Sequence, residues 1–194
     1  MKILGKFPST RLRRVRNSDW VRRLISENNL SANDLILPIF LTEGKNKKEK
    51  IKTMPGIYRY SLDKLSGILD EAEKFKIPMI ALFPNTSNHQ RDHNGSEALN
   101  ENNLVCRAIK LIKKKYNKFG VMTDVALDPY TSHGHDGIIL NGKIDNDETL
   151  KILEKQALLQ ASVGSDVIAP SDMMDGRIGI IRKCLDKKKL KDTQ

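Results

Sequence analysis

Four short apolar runs, each followed by a stretch with helical periodicity, constrain this chain more than any other feature. The runs are LILPIFL at 35–41, MIALFP at 79–84, VMTDVAL at 121–127 and VIAP at 167–170. A continuous apolar run of this length suits a strand buried on both faces. Helical patterns fill the intervals: 61–75 with Leu62, Leu65, Leu69 and Ala72 at three- and four-residue steps, 101–116 with Leu104, Ala108, Leu111 and Ile112, and 147–163 with Leu150, Leu153, Ala157 and Ala161. Ile178, Ile181 and Leu185 mark a last, short helix. A strand that returns parallel to its predecessor needs a crossover, and a helix supplies it. The expected class is therefore α/β with a parallel sheet. Four such units fit either a small open sheet or part of a (β/α)8 barrel, which runs to about 250 residues when whole.

Residues 1–30 stand outside this alternation. RLRRVR precedes an amphipathic turn that Ser18 is placed to cap, containing Trp20, Leu24 and Ile25. This segment reads as an arm, and 31–194 as the α/β domain. No apolar run reaches the roughly 20 residues that span a bilayer. The start MKILGKFPST lacks the apolar stretch of a secretory signal. The expectation is a cytoplasmic protein with no membrane partner. Cys106 and Cys184 have neither a CxxC nor a Cys-His spacing, which argues against disulfides and structural zinc.

The net charge of +10 suggests nucleic acid until its distribution is considered. Residues 1–23 carry eight basic side chains and one acid, 110–118 five lysines, and 177–194 seven basic side chains and two acids. Residues 119–176 reverse the balance, with ten acids against three lysines. No reading helix or aromatic platform accompanies the basic runs, so a solvated surface is expected and no nucleic-acid partner.

Chemistry concentrates in TDVALDPYTSHGHDG, 123–137, which runs off the C-terminal end of a predicted strand. In parallel α/β folds, ligands gather at that end. Asp124 and Asp128, four apart, share one face if the strand stays extended. Asp136, His133 and His135 follow in a Gly-flanked loop, giving a cluster suited to proton transfer or cation binding. The histidines have an alternative as backbone caps. APSDMMDGRIG, 169–179, brings Ser171, Asp172, Asp175 and Arg177 to a second strand end, with Asp175 and Arg177 a candidate rim ion pair. The polar stretch 85–100 is a candidate lid or substrate loop. No Walker loop, GxGxxG or GxSxG is present.

TDVALDPYTSHGHDG and VIAPSDMMDGRIG, together with RLRRVR, DLILPIF, the MPG turn and GSEALN in this order, resemble the porphobilinogen synthase (5-aminolevulinate dehydratase) family. The resemblance implies a (β/α)8 barrel of which about the first four units are present, and an N-terminal arm that embraces a neighbour in a homo-octamer. It implies condensation of two 5-aminolevulinate molecules to porphobilinogen with loss of two waters, for tetrapyrrole and haem synthesis. Two lysines of the family form Schiff bases with substrate. By the resemblance Asp124 is a catalytic carboxylate, and Asp128, Asp136 and Ser171 bind substrate. Zinc-dependent members place cysteines where Ala126, Asp128 and Asp136 stand here, which makes zinc unexpected and leaves Mg2+ as the candidate cofactor, held mostly by groups beyond this chain. The family's Schiff-base lysines fall after Gln194, so the chain is expected to be an N-terminal portion, inactive alone. The alternative is a non-catalytic homologue that binds full-length subunits.

Overall fold

A computed structural model of the chain describes residues 5–194. It divides into two compact units, Met1–Asp34 and Leu35–Gln194. The first four residues of the expected arm lie outside the described residues. The rest of the first unit holds a short helix α1 (Asp19–Leu24). Ser18 occupies the N-cap position, but only its backbone takes part: the carbonyl accepts from Arg22 N–H at 3.1 Å, and the hydroxyl makes no cap bond. Among its described residues the unit buries no apolar side chain. Phe7 is 75% exposed, Leu12 87% and Leu24 77%.

The second unit is built on one sheet in the order β2-β3-β1-β4-β5-β8. Its strands are β1 (Ile36–Thr42), β2 (Lys48–Lys50), β3 (Tyr58–Tyr60), β4 (Met79–Asn85), β5 (Gly120–Val125) and β8 (Val167–Pro170). All neighbours run parallel except β2 with β3. Helices α2 (Leu65–Lys74), α3 (Leu104–Lys115), α4 (Asn146–Ser162) and α5 (Arg177–Lys187) alternate with the parallel strands as the periodicity requires. A hairpin of β6 (Ile138–Leu140) and β7 (Lys143–Asp145) interrupts the third unit.

Two apolar clusters hold these layers together. Ile39 and Leu41 of β1 and Ile80 and Leu82 of β4 pack with Leu69 of α2 and Ile109 and Ile112 of α3. Val125 of β5 and Ile168 of β8 pack with Leu153 and Ala157 of α4 and Ile181 and Leu185 of α5. Each fully buried Leu or Ile contributes about 1.5–3 kcal/mol. Helix starts are fixed by capping: Asn103 accepts from Cys106 N–H at 2.8 Å for α3, and Asp145 from Glu148 N–H at 2.9 Å for α4. The sheet does not close into a barrel among the described residues; β2 and β8 are its edges.

Candidate active site

The C-terminal ends of β1, β3, β4 and β5 surround a hollow of about 190 Å³ lined by Phe40, Arg59, Phe83, Asn85, Asp124 and Asp128. Phe40 and Phe83 stack at 5.6 Å as its apolar wall. β5 itself stops at Val125. Leu127 then accepts from the N–H groups of both Tyr130 and Thr131, at 2.8 and 2.9 Å, so the chain turns at Pro129. Asp128 therefore sits in a turn and not on an extended strand. It still reaches the same hollow as Asp124, by turning back over the strand end.

The acids meet without a lysine or arginine among the charges that govern Asp124 and Asp128. Burial pushes Asp124 above the ordinary carboxylate range; Ser171 opposes this by donating to Oδ1 at 2.5 Å, and the charges of Asp136 and Asp172 reinforce it. Asp128 is pushed up to about 6, first by desolvation against the strand end and then by Asp136 and Asp124. Like charges crowded at a partly dry site disfavour one another's ionised forms. Asp124, Asp128, Asp136 and Ser171 are thus brought into one electrostatic group.

Asp172 belongs to the same group and is 3% exposed. Its Oδ1 accepts from Met174 N–H at 2.7 Å, and Oδ2 lies 3.4 Å from Arg177 Nε. Burial raises its pKa, partly opposed by Met174 and Arg177. The anticipated Asp175–Arg177 pair is not formed. Asp175 instead exchanges backbone bonds with the Asn146 amide, at 2.8 and 3.3 Å, because left-handed Gly176 turns the chain before α5 and leaves the guanidinium facing Asp172.

The histidines take the capping role. His133 Nδ1 accepts from His135 N–H at 3.2 Å, which leaves Nε2–H to donate to the His93 carbonyl at 3.3 Å. His135 Nδ1 accepts from Gly137 N–H at 3.1 Å. Gly137 is required by close approach: a Cβ there would stand 2.6 Å from Ile144 Cγ2 and 3.3 Å from Thr149 Oγ1. Residues 85–100 are not a loose lid. Asp92 N–H donates to the Tyr130 carbonyl at 3.2 Å and Ser132 N–H to the Asp92 carbonyl at 2.8 Å, which sews this loop to the β5 loop.

Sequence reasoning missed Arg59 and Asn85. Arg59 lies on a three-residue strand with no apolar run to announce it. Asn85 ends β4, where a strand-end polar residue is the available signal. As to metals, Ala126 offers a methyl group and Asp128 and Asp136 offer hard oxygens, so the donors do not match a three-thiolate zinc site. Among the described residues no group of three or more His, Cys, Asp or Glu is arranged to hold a metal ion. No helix there is long and apolar enough to cross a membrane.

An α/β chain with its acids at the C-terminal rim of a parallel sheet has the layout of a barrel enzyme. Residues 9–194 match the family described as delta-aminolevulinic acid dehydratase. The delta-aminolevulinic acid dehydratase of Bradyrhizobium diazoefficiens is 54% identical over 184 residues, 95% of this chain and 52% of that protein. That of Methanothermus sociabilis is 48% identical over 191 residues, 97% of this chain and 58% of that protein. A crystal structure of delta-aminolevulinic acid dehydratase (porphobilinogen synthase) from Toxoplasma gondii, in complex with the reaction product porphobilinogen, superposes with a TM-score of 0.90 at 38% identity. It covers 95% of this chain and 53% of that one. The chain belongs to the delta-aminolevulinic acid dehydratase family, and its sheet to the TIM-barrel class. It spans about half the length of these relatives.

Proposed function

We propose that this chain supplies the carboxylate wall of a porphobilinogen synthase site, where two molecules of 5-aminolevulinate condense to porphobilinogen with loss of two waters. The observation that carries the reading is the convergence of Asp124, Asp128 and Asp136 at the strand ends, where Asp124 and Asp128 are raised above ordinary carboxylates and no lysine or arginine is among the charges acting on those two. Such a group receives an ammonium. Asp128 and Asp136 hold the substrate amine, and Asp124, kept in place by the Ser171 hydroxyl, exchanges protons with the reacting amine or imine. Asp128, at about 6, passes between its acid and base forms near neutral pH. Phe40 and Phe83 exclude water from one flank.

Among the described residues no lysine lines the hollow. We place the imine-forming lysines outside these 194 residues, which makes the chain inactive by itself. The exposed Phe7, Leu12 and Leu24 of the first unit support a role for that arm in gripping another subunit of a homo-oligomer, an octamer by family resemblance. The same exposure favours a second reading, a non-catalytic homologue that joins full-length subunits; co-purification with an intact relative separates the two.

The test is titration of the chain with porphobilinogen, followed by NMR. Saturable shifts at Asp124–Asp136 that vanish in Asp128→Asn are expected, and their absence in the folded wild type overturns the reading. Borohydride with 5-aminolevulinate is expected to label no single lysine; stoichiometric labelling of one overturns the placement of the lysines.

A further inference from the structure

The register of β4 and β5 leaves a gap in the hydrogen bonding of the strand that carries Asp124. Gly120 N–H donates to the Pro78 carbonyl at 2.8 Å, so the even-numbered residues of β5 face β4. The pairing proceeds through Ile80 with Val121 and Ala81 with Met122 to Leu82 with Thr123, and stops there. One step further, the Asp124 carbonyl would accept from the N–H of residue 84. Residue 84 is proline, which has none. The ladder therefore ends at the residue where the candidate site begins.

Two side chains from α4 take over. Gln160 Nε2 donates to the Asp124 carbonyl at 3.1 Å, and Gln156 Nε2 to the Ala126 carbonyl at 3.2 Å. The two lie one helical turn apart on the same face of α4, and both are 0% exposed. Each amide is oriented by the carbonyl it serves, since a flipped amide would set oxygen against oxygen. Each also leaves its Oε1 buried with no hydrogen-bond partner among the described residues. A Leu or Met of similar size would fill the space without that orphan acceptor, so packing does not explain two buried glutamines here.

We infer that Gln156 and Gln160 are positioning residues, which clamp the carbonyls of Ala126 and Asp124 where the β4 ladder fails and so fix the turn that aims Asp124 and Asp128 into one hollow. The inference rests on the reading of those two acids as substrate-facing groups. The clamp acts through the backbone and leaves the carboxylates free.

The test uses the full chain and no ligand, so its outcome is independent of the porphobilinogen titration. In the wild type, scalar couplings across the hydrogen bonds from Gln160 Nε2 to the Asp124 carbonyl carbon and from Gln156 Nε2 to that of Ala126 are expected. Side-chain amide exchange at both is expected to be slowed about tenfold or more against exposed Gln194. Free exchange at both in the folded wild type overturns the inference, whether or not any variant folds. In Gln156→Met and Gln160→Met, backbone exchange at Ala126–Asp128 is expected to quicken about tenfold, with Val121–Thr123 unchanged. The carboxyl titration of Asp128 is expected to move down toward that of an ordinary aspartate. A general loss of stability would quicken both segments alike and overturns a local clamp, as does a folded variant with neither change.

Discussion

The two ends of the parallel sheet treat a carboxylate in opposite ways. At the N-terminal end Asp166 is fully engaged: Oδ2 accepts from Val121 N–H at 2.8 Å, and both oxygens lie 2.9 Å from Lys113 Nζ. At the C-terminal end Asp124, also half-buried, has one hydroxyl for a partner and faces further acids. The first arrangement ties a strand to a helix. The second keeps capacity for hydrogen bonding and charge in reserve, which costs stability and is the property a site needs. Asp172 stands between the two: it lies at the C-terminal end yet is paired, and holds the loop that presents Ser171.

The contrast can be broken or sharpened by substitution. Asp172→Ala removes the carboxylate that faces the Arg177 guanidinium at 3.4 Å and leaves the Met174 N–H without a partner, and is expected to lower stability most, by about 3 kcal/mol in denaturant unfolding. Asp166→Ala strips the partner from the buried Val121 N–H and should cost about 2 kcal/mol, with porphobilinogen binding unchanged in the folded variant. Asp124→Asn should do the reverse. Stability stays level or rises by up to about 1 kcal/mol, because a desolvated charge is removed, while ligand affinity falls at least about tenfold by calorimetry. A destabilised Asp124→Asn with intact binding would erase the distinction between the ends.

The smallest effect concerns pH. Asp128 titrates at about 6 in the folded chain against an ordinary 3.8, so the folded state binds the extra proton between those values. Stability from this group is present at low pH and is lost as pH rises through about 6. Because the side chain is exposed, solvent screens the effect to a fraction of the ideal linkage. Asp128→Asn should flatten the melting temperature against pH in that window, and an unchanged slope would assign it to another group.

Much of this was legible in the sequence. The four apolar runs became β1, β4, β5 and β8, since strands buried on both faces carry an uninterrupted apolar signal. The short strands did not announce themselves: Lys48-Glu49-Lys50 and Tyr58-Arg59-Tyr60 are held by pairing to β1 and to each other, which composition does not record. The β6–β7 hairpin did leave a mark, Asn141-Gly142 after the apolar Ile138-Ile139-Leu140, and both adopt positive φ, 52° and 75°. For the candidate site, residue types and spacing brought out the acids and Ser171. They did not reveal the turn at Pro129, the partner of Arg177, or the glutamines behind β5, because each depends on which groups the backbone leaves unpaired.

The seam between Asp92 and Thr131 also bears on ligand capture. Two loops from neighbouring strands, joined by backbone bonds and by His133 to the His93 carbonyl, move as one body. Their conformational entropy is given up when the chain folds, before any ligand arrives. Binding at this rim then has less disorder to remove, and its affinity depends more on the contacts made than on the ordering of the loops.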